Sequence, residues 1–210
     1  MRLTVLLDAA RCRTADDFLI RDVPGTSGRL DVVCRVLAAT FRTAPDMTPF
    51  LEFLAVLGGP PNPPLLLRVG DISDQGIPEG ELALAVILKG LLNFRRTVGK
   101  GQLAAWPQFS LAQQGFEETL RQVVKDGAQV CYLIERGAPL ESLEFSLAKP
   151  LVFVLGDDRG LPLEHEALLS RYPVKEVAMG KQSLLGSHVV SLLLLELARR
   201  SKLDAPNPTA

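Results

Sequence analysis

Apolar positions along the chain fall into short unbroken runs and longer periodic segments. Leu3 to Leu7, Phe50 to Leu57 and Leu65 to Val69 are runs of strand length, as are Gln129 to Glu135, Leu151 to Leu155 and Val174 to Ala178. Runs this short and this apolar predict strands, buried on both faces where they lack alternation. Between them, Leu30, Val33, Cys34, Leu37, Ala38 and Phe41 recur at helical spacing within Arg29 to Phe41. The same period marks Glu79 to Arg96, Phe116 to Lys125 and Pro162 to Tyr172, and a last helix is predicted from near Ser187. The stretch around Trp106 and Pro107 reads as a polar loop, and the prolines that follow Gly58 and Gly59 predict a stiff, extended surface loop. Strands alternating with helices predict an α/β protein whose mostly parallel sheet is covered on both faces. With no internal repeat and no interdomain linker, residues 1–210 read as one domain.

Composition changes this picture little. At 47% apolar residues the chain can bury a substantial core, and its formal net charge of -1 means that a nucleic-acid partner must be met by a local basic patch. Cys12, Cys34 and Cys131 lie far apart, with neither disulfide nor zinc spacing. The first apolar stretch is too short for a signal segment, and the run from Val189 to Ala198 is too short to span a bilayer. These features predict a cytoplasmic protein with no membrane association and no metal.

In parallel sheets ligands gather at the carboxyl ends of strands. Three loops fall there: Leu133 to Gly137, the glycine-acid turn Leu155 to Gly160, and Met179 to Ser187. The last contains Gly180-Lys181 before a helix but lacks the spacing of a phosphate-binding loop, and no dinucleotide-binding glycine pattern follows a strand. His165, between Glu164 and Glu166, reads as solvated, His188 reads as a core-edge residue, and no nucleophile-histidine-acid set can be assembled. In PGTSGRLDVVCR, Arg29 and Arg35 with Asp31 stand at a helix start, suited to an anionic or uracil-like group; an ordinary helix cap explains the same residues equally well.

Four ordered segments carry a resemblance. RDVPGTSGRLDVVCRVL, GGPPNPPLLLRVG, YLIERG and FVLGDDRGLP resemble the corresponding segments of the TrmY family, the tRNA pseudouridine N1-methyltransferases of the SPOUT superfamily, over nearly the whole chain. The resemblance implies a SPOUT-type α/β sheet with a C-terminal trefoil knot, a homodimer and a tRNA T-loop as partner; a tail without order is expected from about residue 203. It implies S-adenosyl-L-methionine as cofactor, held by Leu133, Gly156, Ala178, Met179, Gly180, Lys181, Ser183, Leu184 and Val189. The implied activity is N1-methylation of pseudouridine at tRNA position 54, with Arg29 and Asp31 orienting the base and Asp8 a further candidate for that role. Asp158 stands where the family loop has histidine, and His188-Val189 where it has His-Cys. Those departures leave open a ribosomal pseudouridine as target, or a homologue that binds cofactor or RNA without turnover.

Overall fold

The computed structural model describes residues 2–72, 76–144 and 148–203. Its strands in chain order are β1 (Leu3–Ala9), β2 (Leu51–Leu57), β3 (Leu65–Val69), β4 (Gln102–Leu103), β5 (Trp106–Ala112), β6 (Gln129–Pro139), β7 (Leu151–Gly156) and β8 (Lys175–Ala178). Its helices are α1 (Val23–Thr26), α2 (Leu30–Arg42), α3 (Glu81–Val98), α4 (Phe116–Lys125), α5 (Leu163–Leu169) and α6 (Gly186–Leu203). All strands join one sheet in the order β4-β5-β3-β2-β1-β7-β6-β8. The five strands from β2 to β8 in that order run parallel, while β3, β5 and β4 add antiparallel strands at one edge.

Strand β5 overturns the expected polar loop. Phe109 and Leu111 face the core while Gln108 and Ser110 are only half-buried, an alternation too brief and too polar to stand out from its neighbours. Helix α5 stops at Leu169, short of the expected Tyr172, whose neighbour Pro173 disfavours helical backbone before it.

Period-two alternation distributes the strand side chains between two layers. Leu3, Val5 and Leu7 of β1 pack with α2, α3 and α6, whereas Leu6 packs with Leu54, Val154 and the helices α4 and α5. Thr4 and Asp8 share the Leu6 face, so the carboxylate of Asp8 points toward α4 and α5. Helix α6 is held against α2 by Leu193, Leu194 and Leu197, each buried and each worth about 1.5–3 kcal/mol of transfer free energy. Arg200 ties its far end to the carbonyls of Leu140 and Leu143 at 2.8 and 2.9 Å. The three cysteines are free and buried. Among the described residues no helix is long and apolar enough to cross a membrane. The expected tail beyond residue 203 lies outside the described residues.

Candidate active site

The three loops singled out in the sequence meet at the carboxyl edge of the parallel strands. They enclose a cavity of about 770 Å³ whose further wall is the first turns of α2. Gly156 ends β7 where the chain doubles back through an Asp157–Gly160 bridge, and a Cβ there would stand 2.1 Å from the backbone carbon of Gly160. No other residue fits that turn. Of the expected cofactor residues, Leu133, Gly156, Ser183, Leu184 and Val189 line the cavity. Met179 and Gly180 line a small adjoining recess that shares Leu133, Leu184 and Val189 with it. Ala178 pairs with Pro139 in the sheet and Lys181 is exposed; neither borders the cavity.

Arg29 enters from the start of α2. Gly28 before it is left-handed at φ 66°, and a Cβ on it would meet the Arg11 carbonyl oxygen at 2.0 Å. Arg29 is itself left-handed at φ 76°, uncommon for a residue with a side chain. Its guanidinium donates to both oxygens of Asp31, each at 3.0 Å, and to Asp158 at 2.7 Å. Arg35 adds a bond to Asp31 at 2.7 Å. Asp31 is 1% exposed and lies beneath Arg29 rather than in the cavity wall. Burial pushes its carboxyl up, but the bonds and charges of Arg29 and Arg35 more than reverse this, and the net shift is downward. Asp31 also raises the Arg29 guanidinium. Arg11 binds Asp157 at 3.3 Å and Asp158 as well, so Asp158 bridges Arg11 and Arg29.

Deeper in the cavity, Tyr132 donates to Glu166 at 2.7 Å, and burial together with that carboxylate drives its phenol up. Glu135 is held low by its own backbone N–H and by the Ser183 hydroxyl. Asp8 stands apart from Arg29 and Asp31. It bonds His165 Nδ1, on the other side of α5, in a separate cleft. His165, expected to be solvated, is half-buried and stacked on Phe116 with ring centroids 4.5 Å apart. Arg11 and the Asp8–His165 pair escaped sequence reading because their partners are 146 and 157 residues away. Glu135 lay inside a flagged loop, and a lone acid at a strand end was the available signal.

A family model described as "Putative SAM-dependent RNA methyltransferase" matches residues 1–201. A protein of Thermococcus onnurineus named tRNA (pseudouridine(54)-N(1))-methyltransferase is 36% identical over 194 residues, 90% of this chain and 93% of that protein. Its namesake in Thermococcus gammatolerans is 32% identical over 209 residues, covering 98% of each. Among solved structures, Archaeoglobus fulgidus Nep1 bound to S-adenosylhomocysteine superposes with a TM-score of 0.65 at 17% identity, over 96% of this chain and 99% of that one. At that identity the likeness shows a shared fold.

Proposed function

The chain belongs to this family of SAM-dependent RNA methyltransferases, and from that premise we propose that it methylates N1 of pseudouridine at position 54 of tRNA. The carrying observation is the cavity at the carboxyl edge, which brings an arginine-carboxylate cluster against three small-residue loops. The residues present fit the cofactor. The volume lies within the range of about 300–1,000 Å³ usual for such sites. Val36, Leu155 and Leu184 offer apolar walls for an adenine, Glu135 offers a carboxylate for ribose hydroxyls, and the backbone of Leu133 and Gly156 offers close polar contact. S-adenosylmethionine supplies an electrophilic methyl group on a sulfonium.

The protein's own work is orientation and charge. N1 of pseudouridine must lose a proton as it attacks, and negative charge spreads onto the flanking carbonyls. Arg29 presents its guanidinium at the cavity wall to stabilise that charge. Asp31 has both oxygens engaged and its carboxyl held low, so it serves to fix Arg29 rather than to accept the proton. With Asp31 and Asp158 both committed to arginines, the N1 proton leaves to water.

Three further readings accompany this one. The strand order β7-β6-β8, with α6 returning onto α2, supports a C-terminal trefoil knot. A stripe of Leu192 and Leu195 on α6, continued by Leu184 and Leu185 beside the cavity, supports a homodimer through that face. A tRNA substrate supports a cytoplasmic location. The test is incubation of the purified protein with S-adenosylmethionine and a tRNA carrying pseudouridine at position 54, followed by mass spectrometry of nucleosides. N1-methylpseudouridine is expected from that tRNA and not from the same transcript with uridine there; no such product overturns the reading.

A further inference from the structure

Helix α5 separates the cofactor cavity from a second, open cleft of about 510 Å³. Leu163 and Glu166 face the first, while Glu164 and His165 face the second. Asp8 lines this cleft from its buried side, at 1% exposure. One of its oxygens, Oδ2, engages His165 Nδ1; the other, Oδ1, has no hydrogen-bond partner. A buried carboxylate oxygen left without a donor is rare in folded proteins, and Asp8, which carries it, lines the cleft beside residues of α4 and α5. Glu117, Glu118 and Glu164, all exposed, stand at the mouth. Against these four acids the cleft sets only Arg121, bonded to Glu117 at 2.9 Å, and His165. The remaining wall is apolar, formed by Phe116, Pro63, Pro64 and Pro162.

The cleft thus combines an orphaned acceptor at its base, acidic groups at its mouth and methylene-compatible walls between them. Among the described residues no group of three or more His, Cys, Asp or Glu side chains is placed to hold a metal ion. A cation that brings its own N–H donors and an aliphatic body matches every part of the arrangement. We propose that this cleft binds an aliphatic polyamine, one ammonium donating to Asp8 Oδ1 and a second lying among Glu117, Glu118 and Glu164. The site is independent of the methyl-transfer reading, since none of its lining residues borders the cofactor cavity.

Protonated His165 competes with the ligand for the charge of Asp8. The acids of α4 and α5 and Arg121 face the same space, but only the imidazole titrates near neutrality. Binding therefore tightens as pH rises through the His165 titration, and by linkage the bound amine lowers that titration. The experiment is calorimetric titration of the full chain with spermidine, paired with NMR of the His165 ring. Saturable binding is expected, weakened about tenfold in Asp8→Asn and severalfold in Glu164→Gln, with His165 resonances moving as spermidine saturates. Absence of saturation, or wild-type affinity in a folded Asp8→Asn variant, overturns the proposal. If Asp8→Asn does not fold by circular dichroism, the wild-type ring signals decide, and signals unmoved by spermidine overturn it equally.

Discussion

Replacing Asp31 by alanine separates a positioning role from a binding one. Asp31 is buried, yet its two partners keep much of their side-chain surface in water, 31% for Arg29 and 37% for Arg35. Breaking a buried pair costs about 3–5 kcal/mol when the surviving charge is trapped. Here the freed guanidiniums rehydrate, which reduces the stability loss to about 1–2 kcal/mol. For a chain of this size that lowers the melting temperature by about 2–8 °C. Catalysis should suffer more. Without its two bonds to Asp31, Arg29 no longer holds one orientation, and loss of one oriented donor to developing charge costs about 10²–10³ in kcat. Cofactor affinity, measured by calorimetry, should stay unchanged because Asp31 does not border the cavity. Adding Asp31→Ala to Arg29→Ala should cost little further rate, since Asp31 acts through Arg29. Wild-type methylation by Asp31→Ala, or independent multiplication of the two losses, refutes the reasoning.

Gly156→Ala should destabilise the fold by about 1–3 kcal/mol and abolish calorimetric cofactor binding, because the new Cβ meets backbone at 2.1 Å. Asp8 raises His165 above its usual 6.5, so their pairing stabilises the fold fully below pH 6.5 and loses that contribution as pH climbs through the raised value. Melting curves of the wild type should fall relative to His165→Gln across that window; a constant difference is the contrary result. If the proposed homodimer forms through α6, replacing Leu192 and Leu195 together by Asp should give a folded monomer in light scattering where the parent has twice that mass, and a variant that keeps the parent mass removes α6 as the interface. Asp158→Asn leaves Arg11 and Arg29 with one uncompensated charge, so tRNA binding followed by anisotropy should gain salt dependence, its log-log slope steepening by up to about 0.7–0.9.

The central strands were legible because burial on both faces writes itself into composition. LTVLL, LEFLAVL and LVFVL admit few other structures, and their spacing around glycine-rich turns located the three loops that meet at the cavity. Direction and edge were not legible. Nothing in LLLRV distinguishes an antiparallel strand from a parallel one, and the half-exposed β5, next to the two-residue edge strand β4, resembles a loop because it has only one apolar face. The same limit governed the site. The fragment GRLD shows Arg29 and Asp31 together because they are two residues apart, whereas Arg11 joins Asp157 and Asp158 only after β1 and β7 have paired. Alternation along β1 does put Asp8 on the Leu6 face, but which helix covers that face depends on chain crossings that no local pattern records.

Arg29 concentrates two costs in one residue, and their coincidence argues for function. A left-handed backbone at a residue with a side chain costs about 1 kcal/mol or more, and Asp31 beneath it gives up the hydration of a full charge. Neither is needed to start a helix. The Ser27 hydroxyl already accepts the Leu30 N–H at 2.9 Å, so the end of α2 is capped without either residue. What the two features accomplish together is directional. The left-handed turn projects the guanidinium from the helix start toward the cavity, and three carboxylate bonds, two from Asp31 and one from Asp158, hold its plane there. A cap reading accounts for the helix but leaves both costs without an offsetting role; a positioned cation facing the cavity accounts for all of them.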